Sequence, residues 1–400
     1  MRVTRFVGMF IGCLSAVAAL VTMSGCSSED NTLEPDPQES AVSVAFGGRI
    51  DLDDLDNYAA QTVPAYISKD NSSANPVTDA GATLGRVLFY DRSLSSNNSV
   101  ACASCHHQDL AFGDPAEASM GVNGTTARHS MRLVNTRFAN EVRFFWDERA
   151  ATLEDQTTQP IQDHTEMGFS GADGDPNFAD LITRLESIDY YNELFVFVYG
   201  DDAVTEERIQ LALGQFVRSI QSFDSRYDEG RAQAPNDDAP FANYTPRENM
   251  GKDLFLTAPQ FGTDGVRTSG GLGCAGCHQP PEFDIDPATL NNGVTATIDD
   301  TGNDFTVTRA PSLRDVVGPT GSHNGGFFHT GITDLSAVVE HYNNIALNPN
   351  LDPRLMPNGQ PQNLALTTIE RSSVVSFLQT LSGVAIYTDV KWSDPFVGIR

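Results

Sequence analysis

Two pentapeptides, Cys102-Ala-Ser-Cys105-His106 and Cys274-Ala-Gly-Cys277-His278, constrain this chain more than anything else in it. Two thiols separated by two residues and followed at once by an imidazole form the attachment pattern of a c-type haem. With 6 Cys and 8 His in 400 residues, chance supplies roughly 0.002 copies of such a pentapeptide per chain. The thiols become thioethers on the porphyrin edge, and the next imidazole swings under the ring to the iron, so His106 and His278 are the expected proximal ligands. A redox dithiol or half of a zinc site also uses two such thiols, but neither requires a His after the second one in both copies. The expectation is therefore two haem c groups.

Residues 1–26 read as an export signal. Arg2 and Arg5 open it, an apolar run extends from Phe6 to Met23, and Met23-Ser-Gly-Cys26 closes it. The run is short for a membrane span. Its end resembles the lipobox of bacterial lipoproteins, in which cleavage leaves a lipid-bearing Cys26, although Met23 is an unusual first residue for that motif. Four cysteines attach haem, Cys13 leaves with the signal and Cys26 takes lipid, so none remains for a disulfide. The competing reading keeps Cys26 as a free thiol. The expected location is the periplasm, on the outer rather than the inner membrane, with membrane contact through the lipid anchor only. Residues 27–48 read as a flexible acidic tether, whose stretch Ser27 to Ser40 carries Glu29, Asp30, Glu34, Asp36 and Glu39 with Pro35 and Pro37 and lacks enough apolar surface to pack.

Fifty-three acidic against 25 basic residues give a net charge of −28. Such a surface repels nucleic acid and anionic membrane and steers cationic partners. It is equally compatible with simple solubility.

The haem motifs anchor an internal repeat. Leu84-Gly-Arg-Val-Leu-Phe89 precedes the first and Met250-Gly-Lys-Asp-Leu-Phe255 the second. Both are helix candidates, the second with Thr245 as cap, Pro246 at the first helical position and Glu248 completing a capping box. Each half closes with an apolar stripe at helical spacing, Glu206 to Asp228 and Arg371 to Leu381. Glu229 to Tyr244 reads as a linker. Strand patterns are few, apart from a pair around Val294 to Ile298 and Phe305 to Thr308. The predicted fold is mainly α, with two tandem c-type cytochrome domains, 49–240 and 241–400, each carrying one covalently attached haem.

Function turns on the sixth position of each iron, which a carrier fills on both and a peroxidase leaves open on one. For the second haem the candidates are Met356, His341, Tyr342, His329 and His323. Leu335, Val338, Val339 and Tyr342 share a helical stripe, which turns Tyr342 inward and His341 out to solvent. Core packing explains Tyr342 as well as ligation does, and loop packing does the same for Met356. Near the first haem, Glu166 could act as a general acid–base group above an open iron and Trp146 could relay electrons between haems. From spacing alone, a surface Glu and a core Trp are the simpler accounts. His129 and Met120 are further candidates at the first iron.

With these residues in view, the chain resembles the bacterial dihaem cytochrome c peroxidases and the related MauG-type dihaem enzymes over nearly its whole mature length. The resemblance rests on both haem pentapeptides, Phe145 to Arg149, Glu166-Met167, Ala310-Pro-Ser-Leu-Arg314 and Phe328-His329-Thr-Gly331. It implies a peroxidatic first haem with His106 proximal and Glu166 distal. It also implies a second haem on His278 that takes electrons from a small donor and passes them through the Trp146 region, and a calcium ion between the domains. Two departures stand out. Where many of these peroxidases place a loop His that caps the first iron, this chain has Val122, which implies a permanently open first haem. The local match for the second haem's sixth ligand falls on Tyr342, as in MauG-type enzymes, with Met356 as the alternative; a phenolate lowers the potential relative to a thioether.

The leading expectation is a cytochrome c peroxidase that reduces hydrogen peroxide to water with electrons from a small donor protein, a basic cytochrome c or cupredoxin, acting as a monomer or a homodimer. Its competitors are a MauG-like oxidase that modifies a partner protein and a non-enzymatic dihaem carrier.

Overall fold

The computed structural model describes residues 40–140, 143–285 and 287–398. The expected signal and lipid site lie outside the described residues, and no described helix is long and apolar enough to cross a membrane. Ser40–Arg400 forms one compact unit.

The chain is mainly helical. Its α-helices are α1 (Ala41–Phe46), α2 (Asp79–Tyr90), α3 (Leu153–Thr158), α4 (Phe178–Glu186), α5 (Asp189–Tyr199), α6 (Glu206–Ser219), α7 (Arg226–Gln233), α8 (Pro246–Leu256), α9 (Leu335–His341) and α10 (Thr368–Leu378). Two small antiparallel ribbons accompany them, β1 (Pro259–Phe261) with β2 (Arg267–Gly270) and β3 (His278–Gln279) with β4 (Asp284–Ile285).

The repeat seen in the sequence becomes one helix crossing built twice, α2 on α6 and α8 on α10. All four helices start on a threonine whose hydroxyl accepts an amide of the first turn: Thr78, Thr205, Thr245 and Thr367. At each crossing a glycine lets the backbones meet. A Cβ on Gly85 would strike the Ala212 carbonyl and lie 2.7 Å from Phe216 Cβ. One on Gly251 would strike the Ser373 carbonyl and lie 2.9 Å from Phe377 Cβ. One turn further along, Phe89 packs on Phe216 with ring centroids 5.1 Å apart, and Phe255 packs on Phe377 at 5.3 Å.

Two apolar cores form around these crossings and divide between Ile220 and Tyr227. The C-terminal segment returns to the first core, where Ile386, Trp392 and Phe396 are buried. Arg86 holds it by donating to the Ser393 and Val390 carbonyls at 2.7 and 2.6 Å.

Several local expectations change. The tether expected to reach residue 48 gives way to α1, capped by Ser40, because Val42 and Phe46 find apolar partners in the first core. The single helix expected through Asp228 stops at Ser219. There Asn135 claims both backbone groups of Ser222, accepting from its N–H at 2.8 Å and donating to its carbonyl at 3.0 Å. The expected linker begins inside α7 and is tied to the second core through Phe241 and Tyr244. The strand pair around Val294 and Phe305 reduces to one bridge between Ala296 and Asn303.

Candidate active site

At the first motif, Cys102–Ser104 forms a 3-10 turn, and the Cys102 carbonyl accepts from both the Cys105 and His106 amides, at 3.1 and 3.0 Å. This reversal brings Cys102, Cys105 and His106 to one cavity, which Phe89 and Leu213 also line. The Nδ1 of His106 meets the Phe112 carbonyl at 3.2 Å, aimed there by left-handed backbone at Ala111 and Phe112. With Nδ1 as donor, Nε2 keeps its lone pair for a metal. Burial holds the ring neutral, pushing its pKa down to about 4.

Glu166 lines the same cavity. The loop Asp163 to Gly168 positions it: its amide donates to Asp163 Oδ1 at 3.0 Å, and its carbonyl accepts from the Val122 amide at 2.9 Å. Gly121 makes that approach possible, because a Cβ there would sit 2.8 Å from Glu166 Cα. Burial first, and then the charge of Asp163, push the Glu166 carboxyl up to about 7, against the opposing pull of Arg149. Met167, which the sequence reading did not consider as a ligand, lines this cavity too. Val122 is outside the lining and packs against the first core.

At the second motif, Cys274–Gly276 forms the matching 3-10 turn, and His278 begins β3, paired with Ile285 of β4. The Nδ1 of His278 is enclosed without a hydrogen-bond partner, and burial takes the ring's pKa down to about 4 against the opposing effect of the Pro311 backbone. Cys274, Cys277 and His278 line a largely apolar cavity of about 700 Å³.

Tyr342, at the C-terminal end of α9, lines this second cavity; its hydroxyl accepts from Asn292 Nδ2 at 3.1 Å, and burial raises its pKa. Met356 does not line it, although its neighbours Leu355 and Pro357 do. His341 is not the solvated residue its helical position suggested: it is half-buried, stacks edge-on with Phe328 and meets the Asn292 carbonyl at 2.9 Å. His329 also reaches the cavity, with Nε2 on the Ala296 carbonyl at 2.9 Å. His323 does not line it and packs against Phe327.

Trp146 lines the second cavity rather than the first, 7 % exposed, with its ring edge-on to His329. Its Nε1 donates to the His129 carbonyl at 2.7 Å. The next residue, Ser130, lines both cavities, so the segment 129–133 is their shared wall. His129 is unsuited to the first iron. It faces the second cavity, its Nδ1 meets the Ala116 carbonyl at 2.9 Å, and its Nε2 accepts the Gly326 amide at 3.1 Å. Met120 is 68 % exposed and outside both linings.

These residues fit two haem groups. Each cavity presents two thiols and a neutral imidazole from one tight turn. The second also has the volume; the first is narrower, about 80 Å³, so there the donor set carries the fit. Among the described residues no three His, Cys, Asp or Glu side chains converge as a metal site.

The family model described as di-haem cytochrome c peroxidase matches residues 79–235. The methylamine utilization protein MauG of Methylophilus methylotrophus is 29% identical over 345 residues, 81% of this chain and 87% of that protein. The cytochrome c551 peroxidase of Nitrosomonas europaea is 28% identical over 325 residues, 76% of this chain and 80% of that one. Among solved structures, a MauG-like protein associated with microbial copper homeostasis superposes with a TM-score of 0.63 at 26% identity, covering 83% of this chain and 98% of that one. A dihaem peroxidase of Burkholderia thailandensis superposes with a TM-score of 0.57 at 20% identity, covering 84% and 96%, which speaks for the fold alone.

Proposed function

Because this chain belongs to the dihaem cytochrome c peroxidase/MauG family of haem oxidoreductases, we propose that it reduces hydrogen peroxide to water at the first haem site, with electrons entering through the second. The observation that carries this reading is Glu166, a half-buried carboxyl that desolvation pushes up to about 7 in the same cavity as His106. A haem c bound at His106 would supply the iron that binds peroxide and hands it two electrons.

The protein's share is proton transfer. As carboxylate, Glu166 takes a proton from the peroxide hydroxyl; as acid, it returns that proton to the departing oxygen, which leaves as water. Two electrons and two protons in all convert one hydrogen peroxide into two waters. A group with a pKa near the working pH serves both halves of this cycle, whereas an exposed carboxyl would be too weak a base. The Nδ1 bond of His106 to Phe112 orients the proximal imidazole. Trp146, beside the second cavity and bonded to the shared wall, lies on the route between the two sites.

The net charge of −28 favours a basic donor, a small cytochrome c or cupredoxin. Export, a lipid on Cys26 and a periplasmic location complete the reading.

A second reading is MauG-like oxidation of a partner protein. It is favoured by Tyr342, rather than Met356, lining the second cavity.

Spectra of the purified oxidised holoprotein, before and after peroxide, together with peroxide-dependent oxidation of a reduced basic cytochrome c, test the proposal. A high-spin first haem and turnover support it. A first haem that is low-spin in every oxidation state, for instance through Met167, overturns it. Oxidation of a partner protein without turnover of the cytochrome favours the second reading.

A further inference from the structure

The wall shared by the two cavities carries a guanidinium with no acceptor. Arg132 lines the second cavity, and its Nε is fully enclosed without a hydrogen-bond partner. Its stem is held against Gly113, where a Cβ would lie 2.9 Å from Arg132 Cγ, and its head lies 5.7 Å from the centre of the Phe327 ring. The other arginines of this lining are engaged. Arg354 binds Asp352 and the carbonyls of Gly276 and Ala288, and Arg309 binds the Arg143 carbonyl and lies over Phe144.

The nearest opposing charge does not satisfy Arg132. Asp315 acts on it only through space, while accepting from the Gly383 amide at 2.8 Å and the Tyr387 hydroxyl at 2.9 Å. Burial accordingly depresses the Arg132 pKa to about 10, still cationic at neutral pH. A guanidinium whose Nε is enclosed without a hydrogen-bonded anion is disfavoured, as is a buried ion pair from which one partner has been removed. A planar guanidinium is shaped for a carboxylate, which it grips through two parallel N–H donors. The cavity it faces is the one that holds Cys274, Cys277 and His278, and a porphyrin attached there brings two carboxylates of its own.

We propose that Arg132 is a cofactor-binding residue that pairs with a propionate carboxylate of the haem attached at Cys274 and Cys277. The pairing places a fixed positive charge at the edge of the second haem, on the side of the wall it shares with the first. This assignment rests on the reading of Cys274 to His278 as a haem site.

Potentiometric titration of the holoprotein, the parent against Arg132→Gln and Arg132→Lys, tests it. In Arg132→Gln the midpoint potential of the second haem falls, because the oxidised iron loses a neighbouring cation. It also becomes pH-dependent near neutrality as the released propionate titrates. Arg132→Lys keeps most of the parent value, and the first haem moves less in both variants. Two haems per chain with second-haem potentials unchanged in Arg132→Gln at every pH would overturn the assignment. A parent potential that follows added chloride or acetate would also overturn it, by revealing an exchangeable anion in place of the propionate. If Arg132→Gln does not accumulate, a holoprotein structure decides, with the guanidinium either within hydrogen-bond distance of a propionate or turned away from it. Intact mass separates the two failures: a chain without haem on Cys274 and Cys277 defeats the haem reading itself.

Discussion

The indole Nε1 of Trp146 donates to the carbonyl of His129 at 2.7 Å, and His129 sends its own ring the other way, onto the Ala116 carbonyl and the Gly326 amide. One residue thus ties the aromatic ring beside the second cavity to the backbone that separates the cavities. Trp146→Phe keeps an aromatic ring but leaves the enclosed His129 carbonyl without its donor, at a cost of about 1–3 kcal/mol. Stopped-flow spectra should show peroxide reoxidising the second haem more slowly in this variant. An unchanged rate would remove Trp146 from the electron route.

Glu166 sets the expected pH dependence. Its carboxyl titrates at about 7, above the ordinary carboxylate range, so the base form needed to take the peroxide proton is lost as pH falls through 7. Peroxide-limited turnover should therefore rise with pH across neutrality. Glu166→Gln should lower it by about 10²–10⁴-fold and flatten that rise. A variant with the parent's profile would assign the proton transfer to another group.

At the second haem, Tyr342→Phe removes a hydroxyl that lines the cavity and accepts from Asn292, whereas Met356 lies outside the lining. The low-spin absorption and electron paramagnetic resonance signals of the second haem should change in Tyr342→Phe and persist in Met356→Leu. The reverse result would make Met356 the ligand.

The motif Ala310 to Arg314 has a structural explanation. Arg314 is fully buried and binds both Asp228 oxygens, at 2.9 and 2.8 Å, and the Pro281 carbonyl at 2.8 Å, among the rings of Phe223, Tyr227 and Phe283. Asp228→Ala strands that charge and should cost about 3–5 kcal/mol in chemical denaturation. A loss under about 1 kcal/mol, the scale of an exposed ion pair, would show that the guanidinium finds water instead.

Gly85→Ala and Gly251→Ala test the helix crossings. Alanine in a helix interior normally gains up to about 1 kcal/mol over glycine. Here each methyl meets a carbonyl of the partner helix, and overpacking should win by about 1–3 kcal/mol. Thermal melts of the two variants would show it, and a raised melting temperature would mean that the helices can separate freely.

The covalent pattern was readable before any folding: two Cys-x-x-Cys-His turns, a repeated Gly-to-Phe helix and the caps at Thr245 and Glu248 are local features, set by residues within a few positions of one another. The break after Ser219 was not readable, because Asn135 imposes it by binding Ser222, 87 residues away along the chain. The roles of the histidines were equally hidden. His129 stood as a candidate at the first iron, His329 at the second and His341 as a solvated residue, and only the carbonyls and amides brought to them by distant loops take up their nitrogens. Tyr342 and Met356 stood level until packing put one in the cavity lining and left the other out. Sequence fixes which chemistry is available where neighbours along the chain suffice; burial, which raises Glu166 and strands Arg132, depends on surfaces meeting across hundreds of residues and exists only once the chain has folded.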